Sequence, residues 1–300
     1  MSEVSADSLF HFTPSKEGLL GILQNGFRMS YCFEDFDEET SHFDADGYVP
    51  MARIIGSKEP RYGIAIPMIC FCDIPIHQTR EHREYYGSYC IGLDKEAFFE
   101  QYRAVINPVF YYFEDSWTRY ILPQLVSLKK KLGRKEGVNV AIHSNDYYDM
   151  RLYIREIISL AKPYIGKGRH GKKKRFYNER EWRITFNPDD GDHSPDFIYG
   201  LQLKEFNRNR KRYNKKISNN YLTLENGTAN DVISHIIVPT ESEIQDMADA
   251  IENLTTIVGA KTTRCKRCKL LEKITSFQRI DKEYGNELNQ NNKLKSCQTI

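Results

Sequence analysis

Phe176-Tyr177-Asn178-Glu179-Arg180-Glu181-Trp182-Arg183-Ile184-Thr185-Phe186 alternates at period two along its whole length. In an extended strand residues i and i+2 share a face, so Phe176, Asn178, Arg180, Trp182, Ile184 and Phe186 turn one way. Tyr177, Glu179, Glu181, Arg183 and Thr185 turn the other. The stretch predicts a half-buried strand that projects two carboxylates and a guanidinium together, and a sheet is needed to receive it.

Upstream, Ile64 to Cys72 is a near-continuous apolar run of strand length, closed by Asp73-Ile74-Pro75. Such a run is expected at the centre of the sheet, buried on both faces. Leu9 to Thr13 reads as a short strand, with His11 on the face of Leu9 and Thr13. It leads into a helix from about Pro14 to Asn25 with Thr13 as N-cap and Gly26 at the C′ position. Ile76 to Tyr86 predicts a polar helix stopped by Gly87, and Ser88 to Leu93 a strand whose Asp94 caps a helix from Lys95 to Tyr102. Pro108 to Phe113 predicts a strand, and Ser116 to Leu132 and Tyr147 to Ala161 predict helices. Phe197 to Lys204, Tyr221 to Glu225 and Ser234 to Pro239 predict shorter strands, and Glu241 to Leu254 a helix capped by Thr240. Strands and helices together give the fold class α+β.

The chain is 300 residues long with 40% hydrophobic residues, enough for a sizeable core. The expected organisation is a disordered N-terminus over 1–8, one α+β domain over 9–281, and a polar, disordered tail over 282–300 rich in Asn, Gln and Lys. No apolar stretch approaches the roughly 20 residues of a membrane span. Met1 to Ser8 carries Glu3 and Asp7 with no basic or apolar leader, and a cytoplasmic protein is expected. Seven cysteines without framework spacing fit reduced thiols. Cys265-x-x-Cys268 has zinc-like spacing but lacks a second pair, so no metal site is expected.

The formal net charge of +2 conceals two poles. Glu34, Asp35, Asp37, Glu38, Glu39, Asp44 and Asp46 carry no compensating Lys or Arg, and residues 30–62 read as an acidic excursion or lid. Three basic clusters follow: Lys167 to Arg175, spanning a basic loop at 166–175, then Arg208 to Lys216, then Lys261 to Lys269. They suit either solvated faces or contacts to phosphate in a nucleic-acid or acidic protein acceptor.

Glu179 and Glu181 are the strongest candidates for chemistry. Two carboxylates on one face can divide labour, one ionised to steady a cationic sugar centre, the other to position an acceptor. A solvated ladder of ion pairs accounts for the same residues. His11 precedes a helix N-terminus, where its ring and free amides can meet a ribose or phosphate, or serve packing alone. Tyr85, Tyr86 and Tyr89 flank Gly87 and offer aromatic faces to a flat cationic ring, or to the core.

Phe10-His11-Phe12-Thr13, Pro67-Met68-Ile69-Cys70-Phe71-Cys72-Asp73-Ile74-Pro75, Tyr86-Gly87-Ser88-Tyr89-Cys90-Ile91-Gly92-Leu93 and Phe176 to Arg183 together resemble the AbiGi family of abortive phage-resistance proteins. The resemblance implies the antitoxin-like half of a two-gene abortive-infection system, with a cognate toxin or neighbouring gene product as partner. A looser resemblance in order and spacing is to the His-Tyr-Glu layout of ADP-ribosyltransferases. It implies an NAD-binding α+β fold, a mixed or antiparallel sheet core with flanking helices, with His11 at the ribose, Tyr86 or Tyr89 on nicotinamide, Glu181 at the glycosidic bond, Glu179 on the acceptor side, and Thr13 and Arg183 among the cofactor-binding residues. The alternatives are a non-catalytic antitoxin that binds its toxin directly, and a nucleic-acid-binding module.

Overall fold

The computed structural model describes residues 6–34, 62–113, 144–167, 173–185, 197–224 and 229–284, with scattered positions between 116 and 128. In chain order the elements are β1 (Ser8–Thr13), α1 (Lys16–Asn25), β2 (Phe27–Arg28), β3 (Ser30–Glu34), β4 (Tyr62–Cys72), α2 (Arg80–Tyr86), β5 (Tyr89–Asp94), α3 (Lys95–Tyr102), β6 (Ile106–Pro108) and β7 (Phe110–Tyr112). Then come α4 (Ser144–Leu160), β8 (Ala161–Pro163), β9 (Ile165–Lys167), β10 (Lys173–Arg175), β11 (Glu181–Ile184), β12 (Ile198–Gln202) and α5 (Leu203–Lys216). The chain continues through β13 (Tyr221–Leu222), α6 (Ala229–Val232), β14 (Ile233–Val238), α7 (Ile244–Glu252), β15 (Thr256–Ile257), β16 (Ala260–Lys261), α8 (Arg264–Leu271) and β17 (Ile274–Ser276). The class is α+β with a mixed sheet.

β4 organises that sheet. The main path runs β17-β14-β5-β1-β4-β11-β6, and β3 and β12 also pair with β4. All ladders in it are antiparallel except β14 with β17, which is parallel. Ile64, Ile66 and Met68 pack on one side with Ile154 and Ile158 of α4. Ala65, Ile69 and Phe71 join the larger core beneath α1, α3 and α7 on the other. Burial on both faces is thus realised, and each of these Ile, Met and Phe side chains contributes about 1.5–3 kcal/mol by leaving water. Pro67, which has no N–H to give, lies between Ala65, the last partner of β12, and Ile69, the first of β11.

Several boundaries differ from the sequence reading. Thr13 does not cap α1, because the β1–β5 ladder extends through Thr13↔Tyr89 and keeps Thr13 in the strand. Ser15 takes over, its hydroxyl accepting from the Gly18 N–H at 3.2 Å. The Ile76 to Tyr86 helix opens as a 3-10 turn over Ile76–Gln78. Gly87 ends α2 at φ +109, and a Cβ there would lie 2.3 Å from Pro14 Cα. Pro108 to Phe113 divides into β6 and β7, which pair with different strands.

The strand expected over Phe197 to Lys204 forms β12 and ends at Gln202, and Leu203 to Lys216, which takes in the basic cluster from Arg208, is one helix. Phe206 and Tyr213 on it pack toward β3 while the Lys and Arg side chains stay in water, an amphipathic division that holds the helix on the sheet.

The basic loop over 166–175 is partly β9 and β10, paired Lys173↔Lys167 to Arg175↔Ile165, with residues 168–172 outside the described residues. The N-terminal boundary moves as well: Ser8 belongs to β1, and the Ala6 N–H donates to Asp73 Oδ1 at 2.9 Å. Residues 282–284 are helical. Of the acidic excursion, 30–34 form β3, and the lid expected over 35–61 lies outside the described residues, as does the tail from 285. No described helix is long and apolar enough to cross a membrane.

Candidate functional site

The deciding stretch is not one strand. Phe176–Glu179 form a 3-10 turn, Arg180 adopts the left-handed conformation (φ 41, ψ 54), and only Glu181–Ile184 are extended. The Asp73 N–H holds the Arg180 carbonyl at 3.1 Å, fixing the junction. Glu181 and Arg183 share a strand face as expected. Glu179 reaches them from the turn rather than from the pleat.

The three meet in a buried charge network. Arg183, 1% exposed, donates from Nε to Glu181 Oε1 at 2.7 Å, from Nη1 to the Ser159 carbonyl at 2.7 Å and from Nη2 to Glu34 Oε1 at 2.5 Å. Lys162 on β8 donates to Glu179 Oε2 at 2.6 Å and also to Glu181 Oε2. Tyr86 Oη donates to Glu179 Oε1 at 2.6 Å. Lys174 Nζ lies 2.7 Å from the same Oε1, off the hydrogen-bonding direction, so that contact is Coulombic alone. The backbone N–H of Glu181 donates to Tyr111 Oη at 2.9 Å.

Charge balance explains how these groups tolerate burial. Glu34, Glu179 and Glu181 face Lys162, Lys174 and Arg183, three against three. Burial pushes each carboxyl pKa up. At Glu179 and Glu181 two cations apiece outweigh it: Lys162 and Lys174 hold Glu179 at about 2, and Arg183 and Lys162 hold Glu181 well below the usual carboxylate range. At Glu34 burial wins over its single direct partner, and its pKa is raised even though Arg183 is drawn to it. Burial also lowers His82, beside Tyr86, to about 4.

The network lines a cavity of about 1500 Å³ whose walls also include His11, Thr13, Gly18, Arg28, His82, Tyr85, Tyr86, Lys173 and Arg210. β1 and β4 pair only at Phe10↔Cys72. Beyond that pair His11 Nδ1 donates to the Cys70 carbonyl at 2.7 Å, which fixes the proton on Nδ1, and burial lowers the ring pKa so that it stays neutral. Its ring packs edge-on against Phe27 and Phe71. The row Phe10↔Cys72↔Glu181 shares one sheet face, so His11, next in β1, turns to the opposite face. His11 and Glu181 border the same cavity from different sides of the sheet.

The structure therefore gathers Glu179, Glu181, Arg183 and Tyr86, and leaves His11 and Thr13 across the cavity. Tyr89 lies apart: its hydroxyl donates to Glu243, which pushes its pKa up to about 12. Sequence reasoning missed Lys162, Lys174, Glu34, Tyr111 and His82. Lys162 carried a signal, a single cation within Leu160-Ala161-Lys162-Pro163. Lys174 was hidden in a basic run and Glu34 in an acidic one. The acidic-loop reading is wrong for Glu34, which is buried at the end of β3. Cys265 and Cys268 are exposed on α8, and no cluster able to hold a metal is present among the described residues.

A family model described as "Putative abortive phage resistance protein AbiGi, antitoxin" matches residues 57–239, which include β4, β11 and every member of the charge network except Glu34. The chain is 26% identical over 235 residues to the abortive phage resistance protein AbiGi of Lactococcus lactis subsp. cremoris, covering 73% of this chain and 89% of the relative. No solved structure matches the chain.

Proposed function

The chain belongs to the AbiGi family of abortive phage resistance proteins, and from that premise we propose that it is an antitoxin-side component of an abortive-infection system, with an ADP-ribosyltransferase-like fold whose cavity binds NAD. One observation carries the reading. Tyr85, Tyr86 and Glu179 already form a seat for a cation, occupied by Lys174 Nζ at 3.9 Å from the Tyr85 ring centroid and 4.9 Å from that of Tyr86. A flat, positively charged nicotinamide ring has the chemistry of that seat.

The remaining residues fit the rest of a dinucleotide. The cavity exceeds the roughly 300–1,000 Å³ of ordinary ligand pockets. Arg28, Lys173 and Arg210 on its wall suit a pyrophosphate, and Thr13 and His11 suit a ribose. Bound NAD would supply the nicotinamide–ribose bond, whose cleavage passes ADP-ribose to an acceptor. Glu181 supplies a carboxylate that is ionised at neutral pH and fixed by Arg183, the group needed to oppose positive charge on the sugar. Glu179 stands on the acceptor side. The test is release of nicotinamide, or labelling of a macromolecule, from labelled NAD. Glu181→Gln should abolish it, and activity unchanged in that variant would end the assignment.

A second reading rests on the three-against-three balance, which satisfies both carboxylates without any ligand. The protein would then neutralise a cognate toxin by direct binding. Full suppression of the neighbouring gene product's toxicity by Glu181→Gln would favour binding over catalysis.

A further inference from the structure

Phe113, Tyr164 and Tyr177 form a stepped pile of rings. Phe113 and Tyr164 lie 4.7 Å apart between centroids with planes 32° apart, and Tyr164 and Tyr177 lie 5.2 Å apart at 27°. Tyr111 closes the pile edge-on at 5.4 Å from Tyr177. Phe113 is 56% exposed and Tyr177 46% exposed. Large rings left in water in a contiguous group mark a contact surface.

Cations flank the pile. The Arg175 guanidinium is 5.9 Å from the Tyr164 ring, and Lys173 and Arg175 are exposed on β10. The pile also ends at the charge network, because Tyr111 Oη holds the Glu181 N–H and Tyr177 precedes Glu179 by two residues.

We propose that this ring pile with Lys173 and Arg175 binds single-stranded nucleic acid and leads an unpaired base toward Glu179 and Glu181. Stacked aromatic faces beside a cationic edge are how proteins take unpaired bases and their phosphates without reading sequence. A duplex has already stacked and paired its bases, so the pile selects single strands. The role as acceptor rests on the ADP-ribosyl-transfer reading; binding itself does not.

The experiment titrates the full chain into labelled single-stranded DNA, single-stranded RNA and the duplex of the same sequence, without NAD. Single strands should bind more tightly than the duplex, with affinity falling steeply as salt rises. The DNA and RNA arms identify which strand is preferred. Phe113→Ala and Tyr177→Ala should each weaken binding about tenfold, while Tyr177→Phe, which keeps the ring, should bind normally. Arg175→Gln should lower the salt slope by about one. Because binding is read without NAD and transfer only with it, loss of nucleic-acid binding and loss of transfer activity are separable. No binding at low salt, equal or tighter binding of the duplex, or native affinity in folded Phe113→Ala and Tyr177→Ala would overturn the proposal.

Discussion

Arg183 Nε donates to Glu181 Oε1 at 2.7 Å, joining two residues on the same face of one short strand and fixing the carboxylate before any ligand arrives. The bond is buried, with Arg183 the largest of the fully buried side chains among the described residues. A buried ion pair adds little net stability by itself, but removal of one member leaves its partner charged in a poor solvent.

Lys162→Met tests that asymmetry. Glu179 and Glu181 would lose the ammonium they share, and stability should fall by about 3–5 kcal/mol in urea unfolding. Adding Glu181→Gln to Lys162→Met should recover part of the loss, because the two sites are directly coupled. Strict additivity would contradict the network.

Acid should lower the stability of the protein in two stages. The neutral folded form of His82 is favoured down to about 4, against an ordinary value of 6.5, so its contribution is complete above 6.5 and is lost as pH falls toward 4. Glu179 adds stability that is complete above its ordinary 4.5 and is lost as pH falls toward about 2. Glu34, raised by burial, works in the opposite direction and blunts the slope. Stability against pH should therefore decline first below 6.5, a limb to which His11 and His235, also lowered by burial, contribute, and His82→Phe should make that limb shallower while leaving the lower one.

His11→Phe should keep the aromatic packing against Phe27 and Phe71 and orphan the Cys70 carbonyl. The expected cost is about 1–3 kcal/mol, read from denaturant midpoints, accompanied by weaker NAD binding in calorimetry.

Gly87→Ala places a methyl group against Pro14 Cα at a φ of +109. Thermal unfolding should show a loss of at least about 1–2 kcal/mol from the left-handed backbone alone, with β1 and α2 no longer closing on each other.

Lys174→Ala should empty the cation seat on Tyr85 and Tyr86. NAD binding by the variant should tighten about tenfold, within the range of a desolvated cation–π contact. Unchanged or weaker affinity would show that the seat is not shared.

Much of the sheet was legible. Ile64 to Cys72 could only be central, since both of its alternating faces are apolar, and Asp94 caps α3 from the position its residue type suggests, accepting from the Ala97 N–H at 2.9 Å. Elsewhere the period misled. Phe176 to Phe186 alternates perfectly, yet Arg180 turns left-handed and the first four residues coil, because reaching Lys162 and Tyr86 places Glu179 in a turn. Leu203 to Lys216, read in sequence as the end of a strand at Lys204 and then a basic cluster, is a helix held by the apolar contacts of Phe206 and Tyr213.

The sequence by itself determined the central strand, the α+β class, and the presence of Glu179, Glu181 and Arg183 within a few residues of one another, since periodicity and short spacing are local properties of a chain. Tertiary structure alone decided that Glu34, Lys162 and Lys174, each far from its partners in sequence or hidden in a like-charged run, complete a neutral cluster. The physical reason is desolvation: a buried charge needs an opposite charge within hydrogen-bonding reach, and only the folded sheet determines which side chains are near enough to provide it.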